Sequence, residues 1–165
     1  MTDHVDRVLE QWHAQRPDLD VSPMAVLGRM KRLARLVDAA QRRTFAEHGL
    51  DPASFDVLAT LRRSDPPHGL TAAELMLASM VTSGAITQRL DRLQARGLVT
   101  RSPGETDRRV VLVTLTEEGR ALIDAALPDH VETQERLLAA LGGAERESLA
   151  DVLRTLLESL GDRLD

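Results

Sequence analysis

The sequence of 165 residues contains no cysteine and no tyrosine, and its aromatic residues are one tryptophan and two phenylalanines. Without cysteine, a thiol nucleophile, a thiol redox sensor and a thiolate metal site are all excluded. No apolar run reaches the roughly 18 residues of a membrane-spanning helix, and the N-terminus mixes acidic and basic residues, unlike a secretory signal peptide. We therefore expect a cytoplasmic protein. Its core must be built mainly from Leu, Ala and Val, and Leu and Ala favour helices.

Motifs of catalysis and metal binding are also missing. The five histidines show neither the His-x-x-His nor the His-x-x-x-His spacing of a helical metal site. The chain contains no phosphate-binding glycine loop, no nucleophile elbow and no metalloprotease motif. We therefore expect a protein that is not an enzyme and that binds no cofactor and no metal ion.

The formal net charge of −5 hides an uneven distribution of charge along the chain. Residues 82–109 contain six Arg and three acidic residues, whereas residues 110–165 contain five Arg and twelve acidic residues. A basic segment beside an acidic helical tail fits a DNA-binding lobe joined to a part of the protein that faces away from DNA. A solvated surface of mixed charge remains the alternative at this point.

Helical patterns dominate the first third of the chain. Apolar residues at helical spacing predict a first helix over residues 5–15. A long helix then extends over residues 22–48, with the hydroxyl of Ser22 as its predicted N-cap, and Gly49 ends it. Asp51, together with the proline that follows it, predicts the start of a third helix.

A helix-turn-helix is predicted in the middle of the chain. Thr71 and Glu74 have the spacing of a capping box, in which each side chain accepts a hydrogen bond from the other residue's backbone N–H. About three residues after this short helix, a second helix begins near Thr82 or Ser83 and ends at Gly97. Two helices joined by so short a turn form a helix-turn-helix, a motif of many DNA-binding proteins.

A β-ribbon and two further helices complete the predicted order of elements. Residues 98–101 and 109–115 have the composition of two strands, with a turn-rich segment between them. Thr116 opens another helix, and the pair Gly142-Gly143 separates it from a last helix with a leucine-rich stripe. We therefore predict a mainly α (α+β) fold.

Three stretches of this sequence resemble the MarR family of transcriptional regulators. They are residues 84–101, 106–109 and 115–120, with the sequences GAITQRLDRLQARGLVTR, TDRR and LTEEGR. They are similar to the family's recognition helix, its wing and the start of the helix that follows, although Met80 stands where many members have a turn glycine. The resemblance implies a single MarR-type domain over residues 1–165, with a winged helix-turn-helix and a two-stranded wing.

Within such a domain, the resemblance implies two functional parts. Residues 5–48 and 117–165 would form a helical dimerisation region, and residues 51–115 a winged helix-turn-helix lobe that binds DNA. The leucine-rich stripes at both ends of the chain agree with this division, because they have no other predicted partner. The implied function is that of a repressor, which binds double-stranded operator DNA of pseudo-palindromic sequence as a homodimer.

Six polar residues are predicted to contact DNA: Ser83, Thr87, Gln88, Arg92, Arg108 and Arg109. The first four lie on the outward face of the predicted recognition helix, where short polar side chains and Arg can reach base edges in the major groove. The two wing arginines can reach phosphates or the narrow minor groove, and Asp107 is predicted to orient an Arg side chain. A solvated helix face and a turn with incidental charges are the alternatives.

Residues 12–23 resemble the N-terminal extension of a subgroup of the family that responds to urate and similar anions. By that resemblance, four residues are implied to bind a small anionic ligand: Trp12, Asp56, Arg89 and Arg101. An anion that engaged Arg89 on the recognition helix and Arg101 on the wing would move both DNA-reading elements, and would thereby release the operator.

Considered without the resemblance, these residues leave the ligand open. Trp12 lies on the apolar stripe of the first helix, where it could equally fill the core or an interface. Arg89 shares the apolar face of its helix, and a partly buried guanidinium needs an anionic partner. That partner is either Asp56, in a structural ion pair, or the ligand, with Asp56 as its competitor. Arg101 could instead contact a phosphate or lie exposed on the wing.

Two other functions remain open at this point. A helical interaction scaffold that has lost DNA binding would keep the same winged fold, and a MarR-type regulator with a phenolic or tricarboxylate effector would keep the same site. The arginines between residues 89 and 109 argue against the scaffold, because clustered positive charge favours phosphate binding. The sequence does not identify the effector beyond a small anion.

Overall fold

The computed structural model of the protein describes residues 2–64, 69–79, 86–104 and 107–162. The described part contains seven helices and three short strands. In chain order they are α1 (His4–Gln15), α2 (Ser22–Glu47), α3 (Pro52–Ser64), β1 (Leu70–Thr71), α4 (Ala72–Ala78), α5 (Ile86–Ala95), β2 (Val99–Pro103), β3 (Val111–Leu115), α6 (Glu117–Leu137) and α7 (Gly143–Ser159). The predicted mainly helical fold with a small antiparallel sheet is confirmed. Across the described ranges, no helix is long and apolar enough to span a membrane.

Helix starts follow the predicted capping in most cases. The capping box of α4 is present, because Glu74 N donates to Thr71 Oγ1 (3.1 Å) and Thr71 N donates to Glu74 Oε2 (2.7 Å). Thr116 caps α6 through its hydroxyl, as predicted. The prediction that Ser22 caps α2 is wrong, because Ser22 lies inside the helix. Its backbone N–H and its hydroxyl both donate to the carboxylate of the loop residue Asp20.

The sheet has three strands in the order β1-β3-β2, and both pairs are antiparallel. The pair β2–β3 is the predicted ribbon, or wing, with strands that begin one and two residues later than the sequence pattern indicates. Strand β1 is not evident from the sequence, because it is two residues long and depends on the distant pairing of Leu70 with Val113. Gly69 permits this pairing, since a Cβ there would lie 2.6 Å from the carbonyl oxygen of Val113.

The core lies between α3, α4, α5, α6 and the sheet, and aliphatic side chains fill it as the composition predicts. Its most deeply buried members include Val57, Leu58, Leu75, Leu90, Leu93, Val99, Val113 and Ile123. Each fully buried leucine stabilises the fold by about 1.5–3 kcal/mol relative to an exposed one. Leu90 and Leu93 fix one face of α5 to this core, so the opposite face of α5 is turned outward.

The C-terminal half of α2 meets α3 and α6 in a junction that is partly apolar and partly polar. The rings of Phe45 and Phe55 stack with their centroids 4.0 Å apart, and His130 of α6 packs against both rings. Burial lowers the pKa of His130 below its ordinary value. The hydroxyls of Thr44 and Thr133 share a buried hydrogen bond of 2.7 Å between α2 and α6. The junction therefore fastens the long helices to the winged part of the chain.

The apolar stripes at the two ends of the chain are exposed in a single copy. No residue of α7 is buried, and Val152 and Leu160 are 62% and 76% exposed. Helix α2 also exposes large apolar side chains, which are Met24, Val26, Leu27, Leu33 and Leu36. Two exposed apolar stripes of this size indicate a surface that another protein covers.

Candidate nucleic-acid interface and effector site

Helix α5 presents three of the predicted DNA-contacting residues on one exposed face. Thr87, Gln88 and Arg92 are exposed there, whereas Leu90 on the inner face is buried. The helical spacing of the sequence predicts this division between the two faces, and the structure confirms it. Ser83 and the predicted start of the helix lie outside the described residues.

The turn between β2 and β3 carries two arginines at its tip. Arg108 and Arg109 are exposed, and neither forms an ion pair with another described residue. Asp107 shapes the turn, because its side chain accepts a hydrogen bond from Arg109 N (2.9 Å) and its carbonyl accepts one from Val110 N (3.0 Å). The prediction that Asp107 orients an Arg side chain is wrong, since the carboxylate binds the backbone of the turn instead.

Arg101 on β2 is bound to α5. Its Nη1 lies 2.5 Å from Oδ1 of Asp91, and its Nη2 donates to the carbonyl oxygen of Thr87 at 3.3 Å. The Arg101 side chain is 25% exposed. Because Thr87 and Asp91 are about one helical turn apart, a single guanidinium group spans a turn of α5 and ties the wing strand to it.

Arg89 lies on the other flank of α5, beside the turn that joins α2 to α3. Its side chain is 20% exposed, as the predicted partial burial requires, and its Nε lies 3.9 Å from Oδ1 of Asp51. Asp51 also caps α3 by accepting hydrogen bonds from the backbone N–H groups of Ala53 (3.0 Å) and Ser54 (2.8 Å). Burial opposes the ionisation of Asp51, but these hydrogen bonds and the charge of Arg89 outweigh it, so the pKa of Asp51 is lowered.

The approach of Asp51 to Arg89 has no signal in the sequence, from which the expected partner of Arg89 is either Asp56 or the ligand. Asp56 is half-buried on α3. The sequence marks Asp51 as a helix cap and does not show that the start of α3 meets the flank of α5. The two meet because the turn before α3 packs against the C-terminal end of α5, where Arg96, the residue that follows the helix, donates to the carbonyl oxygen of Gly49 at 3.0 Å.

The two arginines of the implied ligand set do not converge on one place. Each residue of a helix turns by about 100°, so Thr87 and Asp91, which hold Arg101, are about 160° from Arg89 around the axis of α5. The buried stripe that contains Leu90 lies between them. In this arrangement, one small anion cannot bridge the two guanidinium groups.

Trp12 lies at the far end of α2 from Arg89. Helix α1 runs antiparallel to the first half of α2, since Asp3 and Asp6 near its start bind Arg29 at 2.8 and 2.5 Å. Trp12 is therefore close to the N-terminus of α2, whereas Arg89 is close to its C-terminus. A helix of 26 residues is about 39 Å long. Trp12, which is 42% exposed, cannot line the same pocket as Arg89 within one protomer.

A groove of about 470 Å³ lies between α1 and α2. Apolar side chains line it, among them Val5, Val8, Leu9, Met24 and Leu27, and basic residues stand beside them, namely Lys31, Arg32 and Arg35. Of the described residues that line the groove, none belongs to the implied ligand set. Its apolar lining and basic residues suit an apolar segment that carries acidic side chains.

The chemistry that these groups support is binding. In the part of the chain that the structure describes, no cluster of three or more His, Asp or Glu side chains could hold a metal ion. The exposed amide, hydroxyl and guanidinium groups of α5 and the wing tip suit base edges and phosphates. The guanidinium of Arg89 is a group that binds anions through charge-assisted hydrogen bonds, and at 3.9 Å it shares no hydrogen bond with Asp51.

Comparison with known proteins finds relatives along almost the whole chain. A family model described as the MarR family matches residues 48–110. The HTH-type transcriptional regulator PecS of Dickeya dadantii (strain 3937) is 39% identical over 149 residues, which are 90% of this chain and 90% of PecS.

Two solved structures share the fold over most of the chain. BpsR of Bordetella bronchiseptica, whose DNA binding is regulated by 6-hydroxynicotinic acid, is 29% identical with a TM-score of 0.72, over 79% of this chain and 91% of that one. A mutant of MarR from E. coli, complexed with operator DNA, is 28% identical with a TM-score of 0.71, over 83% of this chain and 95% of that one.

Proposed function

Because the chain belongs to the MarR family of transcriptional regulators, which bind DNA and are not enzymes, we propose that it is a cytoplasmic repressor. It binds a pseudo-palindromic operator as a homodimer and releases it when a small anion binds. The observation that carries the proposal is the division of α5, which exposes Gln88 and Arg92 on one face and holds Arg89 half-buried on its flank. One helix thus combines a surface for DNA with a site for an anion.

In this proposal, α5 enters the major groove and the wing follows the DNA backbone. Gln88 can accept from and donate to adenine, and Thr87 can contact a thymine methyl group. Arg108 and Arg109 at the wing tip bind phosphates or the narrow minor groove. Two α5 helices related by a two-fold axis read half-sites about one helical turn apart, roughly 34 Å.

A homodimer, which is typical of the family, would cover the exposed apolar stripes. Helix α7 carries acidic residues beside its apolar ones, namely Glu145, Glu147, Asp151 and Glu158. The groove between α1 and α2 has the opposite charge, and so α7 of one protomer complements the groove of its partner. Light scattering at micromolar concentration is expected to give the mass of two chains, and a monomer would contradict this assembly.

The effector site in this proposal is centred on Arg89, where α5 faces the start of α3. The 3.9 Å between Arg89 Nε and Asp51 Oδ1 exceeds hydrogen-bond length, so an anion can approach the guanidinium without breaking a hydrogen bond between them. Asp51 is the carboxylate beside this guanidinium, and Asp56, half-buried on α3, is the second carboxylate that we propose such an anion would repel. The response of BpsR to 6-hydroxynicotinic acid supports a flat aromatic anion, and urate is an anion of that kind.

Binding at Arg89 would act on DNA directly, because Arg89 is part of α5. If the anion favours a position of α5 that does not fit the operator by about 1–3 kcal/mol, it lowers operator affinity about five- to 150-fold. Arg101 holds the other flank of α5 and is not part of this site. Trp12 could contribute to the site only from the partner protomer, because the length of α2 separates it from Arg89 in its own.

A thermal-shift experiment tests the effector site. Urate, 6-hydroxynicotinate, salicylate and citrate are each added to the protein, with hypoxanthine as a neutral purine. An anion at about 100 times its Kd stabilises the folded state by about 2.7 kcal/mol, which raises Tm by roughly 5–11 °C. We expect Arg89→Ala to abolish this shift.

The matched control is Arg154→Ala, which removes an exposed arginine of α7 and should retain the full shift. An undiminished shift in folded Arg89→Ala would show that the anion binds elsewhere. Absence of a shift with every anion in the wild-type protein would contradict the anion response itself.

A further inference from the structure

We propose that Arg101 is a positioning residue, which forms with Asp91 a latch that holds α5 to the wing and sets the sequence selectivity of DNA binding. The latch consists of the contact from Arg101 Nη1 to Asp91 Oδ1 (2.5 Å) and the bond from Nη2 to the carbonyl oxygen of Thr87 (3.3 Å). This inference rests on the proposed binding of DNA by α5. It goes beyond that proposal, because it gives Arg101 a role that is neither effector binding nor phosphate contact.

The latch connects a fixed strand to the DNA-facing turn of α5. Arg101 lies in the middle of β2, and its backbone is paired with that of Val113, which is buried in the core. On the helix, Thr87 directly precedes Gln88, the residue that we propose reads a base edge. A shift of α5 against β2 therefore has to break the latch.

The other flank of α5 is held at its C-terminal end, where Arg96 donates to the carbonyl oxygen of Gly49. Nearer to Gln88, Arg89 and Asp51 are 3.9 Å apart and share no hydrogen bond, whereas Arg101 makes two hydrogen bonds to α5. The latch is thus the firmer restraint on the turn of α5 that contains Gln88. Rotation would move Gln88 away from a base edge without moving the wing tip from the phosphates. Loss of the latch should therefore reduce selectivity more than general affinity for DNA.

Exposure also separates this role from a phosphate contact. The Arg101 side chain is 25% exposed and bonded at two nitrogens, whereas the Asp91 side chain is 57% exposed. Asp91 has the same sign of charge as DNA, so repulsion alone predicts that its removal strengthens binding to every sequence. The latch predicts the opposite result for the operator.

Asp91→Asn distinguishes the two predictions, because asparagine keeps the size of the side chain and removes its charge. We expect the operator affinity of this variant to fall about tenfold, since each protomer of the dimer loses one ion pair. Affinity for a duplex of shuffled sequence should stay the same or rise. Asp162→Asn, which removes an acid beyond the end of α7, is the control and should change neither affinity.

Arg101→Ala should reproduce the loss of selectivity, with an unchanged salt slope and an unchanged thermal shift from the effector. The double variant Asp91→Asn/Arg101→Ala should lose no more operator affinity than Arg101→Ala alone, because Arg101→Ala already removes the contact with Asp91 as well as the bond to Thr87. Asp91→Ala gives the same test in a variant with higher helix propensity, which guards against a failure to fold.

Stronger binding of Asp91→Asn to operator and shuffled duplex alike would overturn the latch. A flatter salt slope in Arg101→Ala would identify a phosphate contact and would overturn it as well. Loss of the thermal shift in Arg101→Ala, with selectivity intact, would assign Arg101 to the effector site instead. A wild-type protein without any preference for operator would contradict the proposed function, and this result is distinct from the other three.

Discussion

Replacing Gly119 with alanine is expected to lower Tm by roughly 6–12 °C, which corresponds to about 3 kcal/mol in a chain of this size. Gly119 is buried in the first turn of α6. A Cβ at this position would lie 1.9 Å from the carbonyl oxygen of Leu98. That carbonyl is held in place, because it accepts a hydrogen bond from Thr116 N (3.2 Å), and Thr116 Oγ1 donates to the carbonyl oxygen of Gly97 (2.7 Å). The added methyl group must therefore push α6 away from the turn between α5 and β2.

The same substitution is expected to weaken operator binding, since α6 connects the wing to the long helices. Gly143→Ala is the matched control, because Gly143 begins α7 and no atom lies within 4 Å of a Cβ built there. Alanine is favoured over glycine inside a helix by up to about 1 kcal/mol, so this variant should keep or raise Tm. Equal Tm values for the two variants would show that the close approach of Gly119 to Leu98 does not constrain the fold.

Arg108→Ala is expected to weaken binding to every DNA sequence by roughly thirtyfold, from a loss of about 1 kcal/mol at each of two contacts. Arg108 is exposed at the tip of the wing and forms no ion pair with the described residues, so its charge is available to a phosphate. A plot of the logarithm of the DNA-binding constant against the logarithm of the salt concentration should become flatter by about two units. Each phosphate contact contributes about 0.9 to this slope, and the dimer loses two such contacts.

Gln88→Ala on α5 is the contrasting variant. It should leave the salt slope unchanged and lose discrimination at one base pair in each half-site, by about 1–3 kcal/mol. Arg154→Ala controls for the change in net charge, because Arg154 lies on α7. If Arg108→Ala changed neither the affinity nor the salt slope, Arg108 would not contact phosphate. If the salt slope changed by only one unit, Arg108 of a single protomer would contact phosphate.

The helices of this protein could be predicted because most of their signals are local. The capping box of Thr71 and Glu74 acts over three residues, and the structure contains it as the sequence predicts. The Ser-Pro pattern predicts the wrong cap for α2, because the carboxylate of Asp20 accepts hydrogen bonds from both the backbone N–H and the hydroxyl of Ser22. The pattern itself does not show this competing acceptor. Strand β1 has no local signal at all, because it exists only through pairing with β3.

The directions of the candidate side chains on α5 could be predicted from the sequence, but their pairings could not. Helical periodicity correctly turns Gln88 outward and Arg89 toward the protein, since both lie on one regular helix. Periodicity does not show which carboxylate stands opposite an arginine. Asp51 and Asp91 approach their arginines only because α5 packs between the wing and the turn before α3.

The assignment of Trp12 to the effector pocket came from the resemblance alone. Nothing in the sequence gives the distance between the two ends of α2, which is about 39 Å for its 26 residues. That length, and the antiparallel course of α1, keep Trp12 away from Arg89 in one protomer. A resemblance thus names the residue types of a site and leaves open which protomer supplies each one.

Operator affinity measured with and without the anion tests the central claim most directly. Fluorescence anisotropy would measure the affinity of the wild-type protein for the intergenic DNA upstream of its own gene. The measurement is made without an anion and with a saturating concentration of the anion that gives the largest thermal shift. We predict that the anion lowers the operator affinity of the wild-type protein at least about fivefold and leaves that of Arg89→Ala unchanged. An anion that stabilises the protein through Arg89 but leaves its operator affinity unchanged would contradict the proposal that anion binding releases DNA.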